Sequence, residues 1–117
     1  MTFIPTRHFK ASEFKHPEKM DRSFLVQLDK IRESAGVPIH ITDDYRPNVS
    51  TSAHHLGLAV DISDNKAGLA IGSRFRYRII KAALEWGIKR IGIYDRHIHL
   101  DTSPSHDQEV IWYGTSE

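Results

Sequence analysis

The sequence predicts an α+β domain with a small, largely antiparallel sheet packed against helices. Three observations carry this expectation: two segments with apolar residues at helical spacing, two short β-branched runs between them, and three more strand-like runs in quick succession towards the C-terminal end. The first helix is expected between Asp21 and Gly36, where Phe24, Leu25, Leu28, Ile31 and Ala35 share one face, Asp21 caps the start and Gly36 stops the end. Val37 to Thr42 alternates as a strand and feeds the turn-rich segment Asp43 to Ser52. Leu58 to Ile62 has strand composition, and the following SDNKAG reads as a turn over the surface.

A second helix is expected from Ser73 to Trp86, with Phe75, Ile79, Ala82, Ala83 and Trp86 apolar, Ser73 as its cap and Gly87 as its terminator. The strands KRIGIY, HIHLD and EVIWY follow. Trp86 and Trp112 are expected as core aromatics. At 117 residues the chain fits one domain, 1–117, since two separate cores would each be too small. It shows no repeat, low-complexity block or Gly/Ser linker.

Hydrophobic residues at 39% and charged residues at 26% are ordinary globular values, so disorder is not expected. Sixteen Lys and Arg against fifteen Asp and Glu leave a net charge of +1, which argues against binding nucleic acid by broad phosphate neutralisation. No apolar run is long enough to cross a bilayer, and the first residues carry charges and a proline where a secretory leader would be apolar. A chain made in the cytoplasm, without membrane insertion and monomeric, is therefore the expectation. With no cysteine and eight histidines, a transition metal has only imidazole and carboxylate to bind.

Two segments carry the chemistry. In SAHHLGLAVDI, His54 sits in a loop and Asp61 on a strand seven positions later, and both are credible first-row metal ligands. Gly57 allows a tight turn between them, and Ala59 keeps that strand face small. In His97-Ile98-His99-Leu100-Asp101, period-two alternation puts three polar groups on one face and two apolar ones on the other. A catalytic zinc ion takes three protein ligands and keeps one position for water, a set that two histidines and one aspartate complete.

The segment SAHHLGLAVDI matches the pattern SxHxxGxAxD throughout, TDDYRP is similar to an SGYR turn, and HIHLD follows in the same order and spacing. In these motifs the chain resembles the zinc D-alanyl-D-alanine carboxypeptidases, the VanX and VanY-type peptidases and the phage L-alanyl-D-glutamate endolysins, whose fold the hedgehog signalling domain shares. The resemblance covers nearly the whole chain.

What it implies is a zinc-dependent peptidase acting on the peptide of bacterial peptidoglycan, with His54, Asp61 and His99 holding Zn2+. Arg46 corresponds to the arginine that contacts substrate and steadies the oxyanion, and Ser52 to a substrate contact. Many relatives carry Glu or Asp three positions before the last zinc histidine, where this chain has Arg96. His97 matches the first histidine of an HxH arrangement found in a subset of relatives and is the first candidate for proton transfer, with Asp95 the second. Asp101 is expected to orient a ligand histidine. His8, His16, His40, His55 and His106 read as surface or hydrogen-bonded histidines. The compact length and the absence of a leader are most like a phage lysis enzyme that waits in the cytoplasm and reaches the wall on release. The rival readings are an inactive zinc-containing wall-binding module and a phage virion component.

Overall fold

The computed structural model describes residues 3–47 and 52–114. Within the segment expected to loop from Asp43 to Ser52, positions 48–51 lie outside the described residues. The chain folds as an α+β domain in which two helices cover one face of a five-stranded mixed sheet.

Helix α1 (Arg22–Ala35) has the bounds its pattern predicts. The Asp21 carboxylate accepts the Phe24 N–H at 2.9 Å, one of the four donors that a helix start leaves without a partner. The helix ends at Gly36, and Phe24, Leu25, Leu28, Ile31 and Ala35 are buried. Strand β1 (His40–Asp43) starts later than expected, past Pro38, which has no N–H for a sheet ladder. Strand β2 (Ala59–Ser63) is buried along its length, and the turn after it is organised by Asn65, whose side-chain oxygen accepts the N–H groups of Ala67 and Leu69.

Helix α2 (Ser73–Glu85) corrects two expectations. Its cap is Gly72 rather than Ser73, and the Gly72 N–H is taken by Asp64 Oδ2 at 2.9 Å from the preceding turn, so the neighbouring serine is already helical. Trp86 is the residue that ends the helix and is 44% exposed, with the Lys30 ammonium 5.9 Å from the ring centre. It lies at the rim of the core instead of inside it.

Strands β3 (Arg90–Ile93), β4 (Ile98–Asp101) and β5 (Val110–Tyr113) complete the sheet in the order β1-β2-β4-β3-β5. All neighbouring pairs are antiparallel except β3 with β5, which run parallel. The register sorts the two faces of the sheet. Val60 and Ile62 pair with Leu100 and Ile98, Ile91 pairs with Leu100, and all five are fully buried in the core with α1 and α2. On the opposite face Asp61 pairs with His99, and Ala59 and Arg90 both pair with Asp101. That face carries the site.

Candidate metal centre

Three elements bring the donors together. His54 lies in the 3-10 turn Ala53–Leu56, whose start is capped by Ser52 Oγ accepting the His54 N–H at 3.1 Å. Gly57 closes that turn at φ +71°, and a Cβ there would stand 2.1 Å from the Lys19 carbonyl oxygen. Its own carbonyl accepts the N–H of Asp21, so the histidine loop is clamped to the start of α1. Asp61 on β2 and His99 on β4 are direct cross-strand partners. One donor atom from each of His54, Asp61 and His99 lies within 4.8 Å of the others, a group able to hold a metal ion.

The Asp61 carboxylate divides its oxygens. Oδ1 faces His99 Nδ1 at 3.1 Å and His54 Nε2 at 3.4 Å, whereas Oδ2 faces Arg46 Nη2 at 3.1 Å and His97 Nε2 at 3.8 Å. Each of the two histidines is fixed through its other nitrogen. His54 Nδ1 bonds the main-chain carbonyl of Asp44 at 2.5 Å, and His99 Nε2 bonds Asp101 Oδ2 at 2.6 Å. Because a carbonyl and a carboxylate only accept, those nitrogens carry the protons, which directs the inner nitrogens at the space around Asp61 Oδ1. This is the arrangement a metal-binding imidazole needs. The fit rests on a donor set of two oriented imidazoles and a carboxylate.

The support continues outward. Asp101 is fully buried and accepts Arg90 Nε at 2.8 Å and the Ser103 N–H at 3.0 Å. Asp44, also fully buried, accepts the N–H groups of Lys15 and His16 and pairs with the His16 ring at 3.1 Å, tying the N-terminal segment to the loop that holds His54. Burial tends to raise the pKa of Asp61, but the His54 and His99 rings, which in their protonated form donate to it, outweigh that and hold the carboxyl well below its usual range. Burial acts on His99 to favour the neutral ring, and its bonds to Asp101 and Asp61 overcome that and raise its pKa. His97 is lowered, chiefly by burial and against the pull of Asp61.

Around the donors opens a cleft of about 560 Å³. Arg46, Ser52 and His97, expected from the sequence as site residues, line it, and the Arg46 guanidinium is held between Asp43 Oδ2 at 2.6 Å and Asp61. Asp95 is exposed in the β3–β4 turn and does not line the cleft; its carbonyl accepts the Ile71 N–H instead. Trp112, expected in the core, is a wall of the cleft, its ring 5.3 Å from that of His99 and with the Arg90 guanidinium 5.0 Å from its centre. Gly92 makes this possible, since a Cβ there would meet the Trp112 ring at 2.6 Å. The indole N–H donates to the Tyr94 hydroxyl at 2.9 Å, and the Tyr94 ring stacks on His97 at 4.4 Å.

Sequence reasoning missed Arg90, Tyr94 and His106, which also line the cleft. The alternation of KRIGIY placed Arg90 on one face with Gly92, but only the pairing with β4 sets that face beside His99. Compared with protein-family models, with curated proteins and with solved structures, the chain finds no match in any of the three.

Proposed function

We propose that the chain is a zinc-dependent peptidase that hydrolyses the peptide stem or cross-link of bacterial peptidoglycan, built on the hedgehog and D,D-peptidase fold. The observation that carries this reading is the meeting of His54, Asp61 and His99 in one cleft, because they are the residues that the motif resemblance names as ligands. Two imidazoles and a carboxylate form a three-ligand set that accepts zinc as well as other first-row cations, and zinc is the ion that the motif resemblance implies. Zinc held there supplies a Lewis acid for the scissile carbonyl and brings the pKa of water to about 7.

The chain's own residues supply the positioning and the proton transfer. Arg46, anchored by Asp43 and Asp61 at the edge of the cleft, offers planar donors to a carbonyl oxygen as negative charge develops on it. His97 stands on the same side of Asp61, held by its stack on Tyr94. Among the described residues lining the cleft the carboxylates are Asp61 and Asp101, and both are engaged by histidine. The proton therefore passes through imidazole: His97 accepts it from the attacking water and returns it to the leaving amine.

Digestion of purified peptidoglycan by the zinc-loaded chain, followed by mass analysis of the released muropeptides, tests the reading and reports the bond cut. New peptide ends are expected with zinc and none with chelator or with His99→Ala. His97→Ala should retain zinc and lose about 10²-fold or more in kcat; undiminished turnover removes His97 from the mechanism. A second reading, a zinc-containing module that binds the wall without cutting it, is favoured by Arg96, which stands where many relatives carry an acid, and by Asp95, which is exposed and does not line the cleft. Sedimentation of the chain with peptidoglycan, with no amino groups released, establishes that reading instead.

A further inference from the structure

A second groove, of about 740 Å³, lies at the end of the sheet where β1 begins, β2 ends and the β3–β4 turn folds over. It adjoins the metal-donor cleft through the strands. Ser63, which lines the groove, is two positions beyond Asp61 on β2, so both side chains leave the same face about 7 Å apart. Arg96, also in the groove, immediately precedes His97 of the cleft. β1 is a terminal strand of the sheet, and its His40, Ile41 and Thr42 form one border.

The groove is built for negative charge. Arg32 from the last turn of α1, Lys66 from the β2–α2 segment and Arg96 from the β3–β4 turn bring three fixed positive charges from three separate elements. Arg32 and Lys66 enter no salt bridge among the described residues. Glu13 is the carboxylate among the residues lining the groove, and it already accepts the Lys10 N–H at 2.7 Å. His8, which also lines the groove, has a buried Nε2 with no hydrogen-bond partner, the Glu33 carboxylate standing 4.0 Å away.

We propose that this groove binds carboxylate groups of an extended peptide whose scissile bond lies in the adjoining cleft, and so selects substrates by their acidic side chains and free carboxyl ends. The position of the scissile bond rests on the peptidase reading above; the anion selectivity rests on the groove alone. An extended peptide advances about 3.4 Å per residue, so a residue two positions from the metal-donor site reaches the end of the groove marked by Ser63. The cations stand on three separate elements, which suits single charges met in turn along a chain. A phosphate site would gather its donors at one point, commonly with backbone N–H groups.

The test uses two fluorescently labelled peptides that differ only in carrying Glu and a free C-terminus or Gln and a carboxamide. Their binding to the full chain is measured by anisotropy, with chelator present so that the probe is not consumed. The acidic peptide is expected to bind about five- to tenfold more tightly, and the preference should shrink as salt is added. In Lys66→Glu, at an exposed position, and separately in Arg32→Gln, the preference should fall to less than about half its value. Equal binding of the two peptides, or an unchanged preference in both variants, overturns the proposal. Displacement of the probe by millimolar inorganic phosphate, with indifference to the peptide's carboxylates, marks a phosphate site and overturns it as well. If the carboxylate preference holds while zinc-loaded chain cuts no peptidoglycan, the groove assignment stands and the peptidase reading falls.

Discussion

Asp101 holds His99 by Nε2 at 2.6 Å, the nitrogen on the far side of the ring from the one that faces Asp61 at 3.1 Å. Asp101 is itself fixed by Arg90 and by the Ser103 N–H. The orientation of one metal donor is therefore set by a buried carboxylate two positions along the same strand. The expected consequence is that Asp101→Asn weakens metal binding by about 10- to 100-fold while the sheet stays folded. Competition for zinc against a chelating dye measures this, and an affinity equal to that of the parent chain would show that His99 needs no such anchor.

Metal binding should stabilise the folded chain, because the three donors come together only when β2, β4 and the turn carrying His54 are assembled. At free zinc about 100 times the dissociation constant, the stabilisation is about 2.7 kcal/mol, which corresponds to a rise of roughly 10 °C in Tm for a chain of this size. His54→Ala and His99→Ala should remove the rise. A thermal melt with and without zinc decides it, and a zinc-dependent shift that survives in both variants argues against this ligand set.

Gly57 is the point at which the histidine loop touches the start of α1. Any side chain there is forced into the left-handed region and into the Lys19 carbonyl. We expect Gly57→Ala to cost about 3 kcal/mol, from the conformational penalty and the overpacking together, and to loosen metal binding through displacement of His54. Urea unfolding gives the first quantity and zinc titration of the folded fraction the second; a variant as stable as the parent would mean that the Lys19 segment shifts at little cost.

Asp64 lies away from the metal donors and gives a prediction for acid pH. Its carboxylate accepts the Gly72 N–H at the entrance to α2, and this bond, above the smaller opposing effect of burial, lowers its pKa. A depressed folded-state value means that the stabilisation is complete above the unfolded pKa of about 3.9 and is lost as pH falls through the folded value. The group stands largely in solvent, so screening keeps the contribution to about 0.5 kcal/mol. Asp64→Ala should accordingly melt about 2 °C lower at pH 7, with the difference vanishing at pH values below that of the folded carboxyl. A difference that persisted unchanged into strong acid would assign the effect to something other than the charge.

The secondary structure was largely legible in the sequence because its signals are local. The apolar spacing of Phe24 to Ala35, the cap at Asp21 and the alternation of His97 to Asp101 each involve residues within a few positions of one another, and the structure keeps all three. Ser73 misled because the cap position falls on Gly72, whose N–H is held by Asp64 eight positions earlier in the chain, a contact outside any local capping pattern.

By itself the sequence determined the main helices and strands, the two faces of β4 and which two histidines and one aspartate form a group able to hold a metal, since a motif records residue types at fixed local spacing. Only the tertiary structure decided what stands beside those donors. It set Trp112 against His99 through the parallel pairing of β5 with β3, gave the Asp44 carbonyl to His54, and turned Asp95 out to solvent while Tyr94 stayed in the cleft. These neighbours meet across strand pairings and loop closures that join distant parts of the chain, and such contacts are fixed by packing of the whole core rather than by any short-range pattern.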